Sequence, residues 1–145
     1  MVLVAGDGRP GGTWSSVELG GSCMAKVVVI DDSKLMRSLL RQFVEVAGHE
    51  VEEWVEVTAS QVQTRLAASK PDLLITDYQM PGCNGGTIAK LVRHDQPDLH
   101  ILVITADRDP LVLRQLQLLD VTQVIHKPIR NEDVLEALKV LLPGG

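Results

Sequence analysis

The sequence predicts an α/β fold in which a parallel β-sheet is covered by helices on both faces. Short apolar runs alternate with segments of helical periodicity five times along the chain, which is the pattern of successive βαβ units. The central runs are almost wholly apolar, as expected for strands that are buried on both faces. Right-handed crossovers join such strands, so the sheet should be parallel and doubly wound.

The strands and helices are predicted from these runs and from the capping residues between them. The predicted strands are residues 27–30, 51–57, 73–76, 101–104 and 121–126. The second strand is the most polar, so we expect it nearer an edge of the sheet. The predicted helix caps are Ser33, Ser60, Asp109 and Asn131, with Gly48 ending the first helix and Asn84-Gly85-Gly86 forming a loop before the third. The predicted buried face of the first helix is Leu35, Met36, Leu39, Leu40, Phe43 and Val46.

Length and composition exclude several classes of protein. The 145 residues suffice for one domain with a full core. The net charge is −5 and the basic residues are scattered singly, which argues against direct binding to nucleic acid. No apolar run is long enough to span a membrane. The two cysteines, Cys23 and Cys83, are too few for a disulfide framework and lack zinc-site spacing, so we expect a cytoplasmic protein.

The first 23 residues differ in composition from the rest of the chain. They are rich in Gly and Ser and show no sustained periodicity, which predicts a flexible N-terminal extension over residues 1–23. The apolar start of this segment is too short for a secretory signal. Met24 and Ala25 lead directly into the first predicted strand, so we expect the folded domain to occupy residues 24–145.

Polar residues stand at the carboxyl ends of four predicted strands. Asp31 and Asp32 follow the first strand, Asp77 the third, Thr105 the fourth and Lys127 the fifth. In open α/β sheets, ligands bind in the crevice outside these strand ends. Three carboxylates that lie so close together need either raised pKa values or a hard cation among them, and Mg²⁺ suits such oxygen ligands.

This set of residues matches the requirements of phosphoryl chemistry. A carboxylate beside Mg²⁺ can attack a phosphoryl group and form an aspartyl phosphate. The three phosphoryl oxygens each need a positive or hydrogen-bonding neighbour, and Mg²⁺, Lys127 and Thr105 could supply one each. Taken alone, Asp77 could equally be a cap for the turn that Pro81 and Gly82 predict.

A set of short motifs, taken in their order along the chain, resembles the receiver domain of bacterial response regulators. The motifs are Asp31-Asp32-Ser33, Asp77 with Met80-Pro81-Gly82 and Gly85, Thr105-Ala106 and Lys127-Pro128, within residues 24–142. Each is weak alone, whereas the ordered set at successive strand ends is specific. The resemblance implies a flavodoxin-like (βα)5 fold with a five-stranded parallel sheet of order 2-1-3-4-5.

The resemblance also implies a role for each residue of the site. Asp77 would accept a phosphoryl group from the phosphohistidine of a sensor histidine kinase or a histidine phosphotransfer protein. Lys127 would pair with a phosphoryl oxygen, and its bond to Pro128 would be cis. The implied Mg²⁺ ligands are Asp31, Asp32, Asp77 and the backbone carbonyl of Gln79.

Phosphorylation is expected to change a binding surface. Thr105 would turn toward the phosphorylated site and repack the surface formed by the fourth helix, fifth strand and fifth helix. That surface would bind an unknown downstream protein or a second copy of the chain. Two positions depart from the family pattern: Val124 replaces a common Tyr or Phe, and Asp120 replaces a usual Gly.

The sequence favours a stand-alone receiver that is not an enzyme beyond its own phosphorylation and dephosphorylation. Only three residues follow Leu142, although a receiver fragment of a larger regulator is an alternative. A Mg²⁺-dependent aspartyl-phosphate phosphatase is a second class, but such enzymes generally carry Asp-x-Asp, and Tyr78-Gln79 follows Asp77 here. A flavodoxin-like cofactor binder would need a Gly/Ser/Thr-rich phosphate loop, which the sequence lacks.

Overall fold

Strands and helices alternate along the chain in the computed structural model, which describes residues 24–55, 57–80 and 84–142. The strands are β1 (Lys26–Ile30), β2 (Glu50–Trp54), β3 (Leu73–Asp77), β4 (His100–Thr105) and β5 (Gln123–His126). The helices are α1 (Lys34–Val46), α2 (Ala59–Ser69), α3 (Gly85–Asp95), α4 (Pro110–Leu118) and α5 (Asn131–Leu141). The predicted N-terminal extension and Cys83 lie outside the described residues.

The strands form one sheet in the order β2-β1-β3-β4-β5, and every neighbouring pair is parallel. This confirms the predicted flavodoxin-like fold and places β2 at an edge. Along the described ranges, no helix combines the length and apolar character that crossing a bilayer requires.

Alternate residues of the strands build two separate cores, one on each face of the sheet. Val27 and Val29 of β1 point toward α1 and α5, whereas Val28 and Ile30 point toward α2, α3 and α4. Because both faces are covered, the inner strands are buried except at Lys26 and His100, where β1 and β4 begin, which explains their apolar runs.

The predicted apolar face of α1 is partly wrong. Leu35 and Val46 are 77% and 72% exposed, while Leu40 and Val44 are buried against the sheet. At 3.6 residues per turn, Leu35 and Val46 lie about 180° around the helix from that buried stripe. The third member of the stripe is a charged residue, Arg37.

Three predicted helix starts are also corrected. Thr58, not Ser60, caps α2, and it forms a capping box with Gln61. Asn84 caps α3, so Gly85 and Gly86 belong to the helix rather than to a loop. In α5, Asn131 is the first helical residue and Arg130 is the N-cap, with no capping bond from its side chain; Glu132 and Asp133 instead place negative charge near the helix N-terminus.

Other boundaries agree with the sequence or shift slightly. Ser33 caps α1, and Asp109 with Pro110 opens α4, as predicted. β2 ends at Trp54 rather than at residue 57. Asp120 adopts a left-handed backbone with φ of 56°, which confirms that it can replace Gly at the end of α4.

The start of α3 lies directly against the end of β3. The Gly85 amide donates to the Tyr78 carbonyl at 2.8 Å. A Cβ at Gly85 would lie 2.8 Å from Tyr78 Cα and 2.9 Å from the Asp77 carbonyl oxygen. Both contacts are to backbone atoms that cannot rotate away, so only glycine lets α3 approach Asp77 this closely.

We expect Gly85→Ala to lower the free energy of unfolding by about 1–3 kcal/mol, because α3 or β3 must shift to admit the methyl group. Denaturant unfolding would measure the change. Gly86→Ala is the matched control, since its nearest contact is a side-chain oxygen, Asn84 Oδ1, at 3.2 Å. Equal losses in the two variants would contradict the prediction.

Candidate functional site

Three carboxylates meet where β1 and β3 end. β1 pairs with β3 in parallel with Ile30 opposite Thr76, so the residues that follow each, Asp31 and Asp77, lie side by side. One oxygen from each of Asp31, Asp32 and Asp77 lies within 4.8 Å of the others. Asp31 and Asp77 are buried and Asp32 is exposed, so the cluster opens to solvent on one side.

Asp77 is positioned by a backbone hydrogen bond to β4 and by an amide of its own loop. The amide that follows it, from Tyr78, donates to the Ile104 carbonyl of β4 at 2.9 Å. Its Oδ1 accepts a long hydrogen bond of 3.4 Å from the Gln79 amide. The backbone bond therefore fixes the chain directly after Asp77, and the Gln79 amide faces the carboxylate.

Lys127 brings a positive charge to this carboxylate. Its Nζ lies 3.3 Å from Asp77 Oδ2, and its backbone amide donates to the Thr105 carbonyl at 2.9 Å. The Lys127–Pro128 bond is cis, as the resemblance implied. Lys127 thus offsets part of the negative charge of the cluster.

Thr105 ends β4 next to Asp77. Asp77 is paired in register with Ile104, so Thr105 is one residue beyond it on the neighbouring strand. The Thr105 side chain is fully buried, and its hydroxyl oxygen accepts a hydrogen bond of 2.9 Å from the Asp107 amide. The structure therefore places five of the predicted side chains, from Asp31 to Lys127, at one edge of the sheet.

The chain matches known proteins in both sequence and fold. The sequence profile of the response regulator receiver domain matches residues 27–139. The chain belongs to this family. A solved structure of the chemotaxis protein CheY4 of Vibrio cholerae superposes on this receiver with a TM-score of 0.75 and 27% sequence identity, over 83% of this chain and 100% of that one.

Curated relatives of this receiver include longer regulators. The positive alginate biosynthesis regulatory protein of Pseudomonas aeruginosa is 31% identical over 78% of this chain and 45% of its own length. The response regulator MprA of Mycobacterium tuberculosis is 30% identical over 81% of this chain and 50% of its own length. This chain therefore spans about half the length of the curated relatives it matches.

The electrostatics of Asp31 are those of a buried acid in a crowded site. Burial is the largest cause and raises the pKa of Asp31 from 3.8 to about 6. The hydrogen bond from the Ser33 amide lowers this pKa, and the charge of Lys127 lowers it less. The negative charges of Asp77 and Asp32 raise it further. Within the described part of the chain, Asp31 Oδ2 is buried without a hydrogen-bond partner. A hard cation would satisfy this oxygen and neutralise the cluster. The residues present therefore fit Mg²⁺, which receiver domains generally bind at an acidic pocket.

One residue near the site was not identified from the sequence. Arg37 is buried on α1, and its Nη1 donates to the Asp31 backbone carbonyl at 2.8 Å. The available signal was its spacing, because an Arg three residues before Leu40 and seven before Val44 falls on the stripe that faces the sheet. A charged side chain on such a stripe indicates a specific partner.

We expect Asp31→Asn to stabilise the receiver in Mg²⁺-free buffer, because the folded state disfavours the ionised form of this carboxyl. That ionisation weakens folding as the pH rises from about 4 through the pKa of about 6. The variant should gain nothing near pH 4 and about 1–3 kcal/mol in free energy of unfolding above about pH 7. Denaturant unfolding in a chelating buffer at several pH values measures this.

The control is Asp98→Asn, which removes an exposed carboxylate outside the cluster and should show no such pH-dependent gain. A loss of stability in Asp31→Asn at neutral pH would contradict the assignment of Asp31 as an uncompensated buried charge.

Proposed function

We propose that this receiver accepts a phosphoryl group on Asp77 in a Mg²⁺-dependent reaction and thereby changes the binding of a partner. The phosphohistidine of a sensor histidine kinase or histidine phosphotransfer protein is the proposed donor. The observation that carries the proposal is the ion pair of 3.3 Å between Lys127 and Asp77, beside the cluster of three carboxylates.

Asp77 is the proposed acceptor because it alone among the three carboxylates pairs with a lysine ammonium within the described ranges. In the reaction, an Asp77 oxygen forms a bond to phosphorus while the P–N bond of the phosphohistidine breaks. The electron pair of that bond returns to the imidazole, which leaves neutral after proton balance with solvent. Lys127 would then pair with a phosphoryl oxygen.

The remaining residues have supporting roles in the proposal. Asp31, Asp32 and Asp77, with the backbone carbonyl of Gln79, would hold Mg²⁺. When bound, Mg²⁺ supplies positive charge against both the carboxylates and the phosphoryl oxygens. The Thr105 hydroxyl, which can donate as well as accept, would bind a further phosphoryl oxygen.

A chain of hydrogen bonds leads from Thr105 to α4. The Asp107 amide donates to Thr105 Oγ1 at 2.9 Å, the Asp109 amide to Asp107 Oδ1 at 2.9 Å, and the Leu111 amide to Asp109 Oδ1 at 3.0 Å. If the Thr105 hydroxyl turns toward the phosphoryl group, the first of these bonds is lost and the turn that opens α4 is released. Such a route needs no aromatic side chain at Val124.

The proposed readout is the surface of α4, β5 and α5. Leu111 and Leu118 lie seven residues apart on α4, and both are exposed. A downstream protein or a second copy of the chain is the proposed occupant of this surface. The cytoplasmic location stays a prediction. The stand-alone state also stays a prediction, since the relatives are about twice as long as the matched region.

We expect acetyl phosphate with Mg²⁺ to add one phosphoryl group to the native chain and none to Asp77→Asn, as read by intact mass. Omission of Mg²⁺ should abolish the addition, because the carboxylates then repel the donor. Addition to the Asn variant would place the acceptor elsewhere. Turnover of a phosphomonoester would favour a phosphatase, and a yellow preparation would favour a flavin-binding protein.

We expect phosphorylation to accelerate hydrogen exchange in the first turn of α4 in the native chain. Thr105→Val should still be phosphorylated on Asp77. Because its hydroxyl is missing, hydrogen exchange in α4 should be fast before phosphorylation and unchanged after it. Hydrogen exchange read by mass spectrometry tests both. Thr64→Val, at an exposed position of α2, is the control. Unchanged α4 exchange in the phosphorylated native chain would refute the route.

A further inference from the structure

Arg37 connects the acidic pocket to the edge of the sheet. It is only 9% exposed, and its Nη1 donates to the Asp31 carbonyl oxygen at 2.8 Å in a buried hydrogen bond. Its Nε donates to Glu53 Oε1 of β2 at 3.2 Å. One guanidinium thus joins the loop after β1 to a neighbouring strand, using two donors in a fixed geometry.

The Asp31 carbonyl belongs to the peptide that links Asp31 to Asp32. The orientation of this peptide therefore determines where the Asp32 side chain leaves the backbone. The Asp31 side chain is fixed separately, since its Oδ1 accepts from the Ser33 amide at 2.8 Å. Without Arg37, the carbonyl would be buried without this donor or would rotate toward another one.

The charge of Arg37 is already balanced on the side away from the pocket. Glu53 binds both Arg37 and Arg41, and Arg41 also pairs with Glu45 at 3.0 Å. The hydrogen bonds that Glu53 accepts from Arg41 and Arg37, that of Arg41 first, lower the pKa of Glu53. Arg37 therefore contributes to the pocket through the position of the peptide rather than through an unpaired charge.

We propose that Arg37 is a positioning residue for the metal site, and that it sets the Mg²⁺ affinity of the receiver by fixing the Asp31–Asp32 peptide. This inference rests on the proposed function, because it takes Asp31 and Asp32 as ligands of Mg²⁺. Partners that orient metal ligands typically change metal affinity by about 10–100-fold when they are removed.

The test compares Arg37→Met with Arg41→Met. Both variants lose an arginine bond to Glu53, but of the two arginines it is Arg37 that binds the Asp31 carbonyl. Calorimetric titration of the unphosphorylated proteins with Mg²⁺ should show affinity about tenfold weaker or more in Arg37→Met and within about twofold of native in Arg41→Met. The labelling rate of Asp77 at saturating Mg²⁺ should stay within about threefold of native, because the reacting atoms are unchanged.

Arg37→Lys covers the case in which the Met variant does not fold. A single ammonium cannot bind the carbonyl and Glu53 with the planar geometry of a guanidinium. The Mg²⁺ affinity of Arg37→Lys should therefore fall between those of the native chain and Arg37→Met. If only the Lys variant folds, its Mg²⁺ affinity should be below native. Native Mg²⁺ affinity in Arg37→Lys, or equal Mg²⁺ affinities in the two Met variants, would overturn the role of Arg37. Phosphorylation of Asp77 at the native rate would still support the proposed function in that case. Absence of Mg²⁺ binding by the native chain would overturn both proposals.

Discussion

The repulsion among three carboxylates at the ends of β1 and β3 is the constraint on which the site depends. Parallel pairing of these strands forces Asp31 and Asp77 together, and burial makes their charges costly. Lys127 offsets one charge, while Asp31 responds with a raised pKa and an unpartnered oxygen. The pocket thus carries three carboxylates and one lysine, and a bound cation would offset the remaining negative charge.

The sequence was sufficient for the architecture and for the residues at the strand ends. Unbroken apolar strands specified a sheet covered on both faces, and in the structure Val27 and Val28 do lie in opposite cores. Once the strands were known, topology alone brought Asp31, Asp77 and Lys127 to one edge. These features follow from local pattern and from the handedness of crossovers, which is why they could be predicted.

Other features depend on packing that no local pattern reports. Leu35 and Val46 are apolar, as core residues usually are, but they lie on the side of the helix that faces away from the sheet. Arg37 is buried instead. Its buried position is stabilised by partners 6 and 16 residues away, Asp31 and Glu53. Likewise, the need for Gly85 arises from backbone contact with the end of β3, which becomes visible only when α3 is docked.

The two walls of the pocket differ in stiffness. On the α3 side, Gly85 sits against the Asp77 and Tyr78 backbone with no room for a single methyl group. On the α4 side, the turn from Thr105 to Leu111 is connected by successive hydrogen bonds between short side chains and amides. Close-packed backbone resists displacement, whereas such bonds can exchange one partner for another. A shift of the Asp77 backbone would therefore meet more resistance from α3 than from the turn that leads to α4.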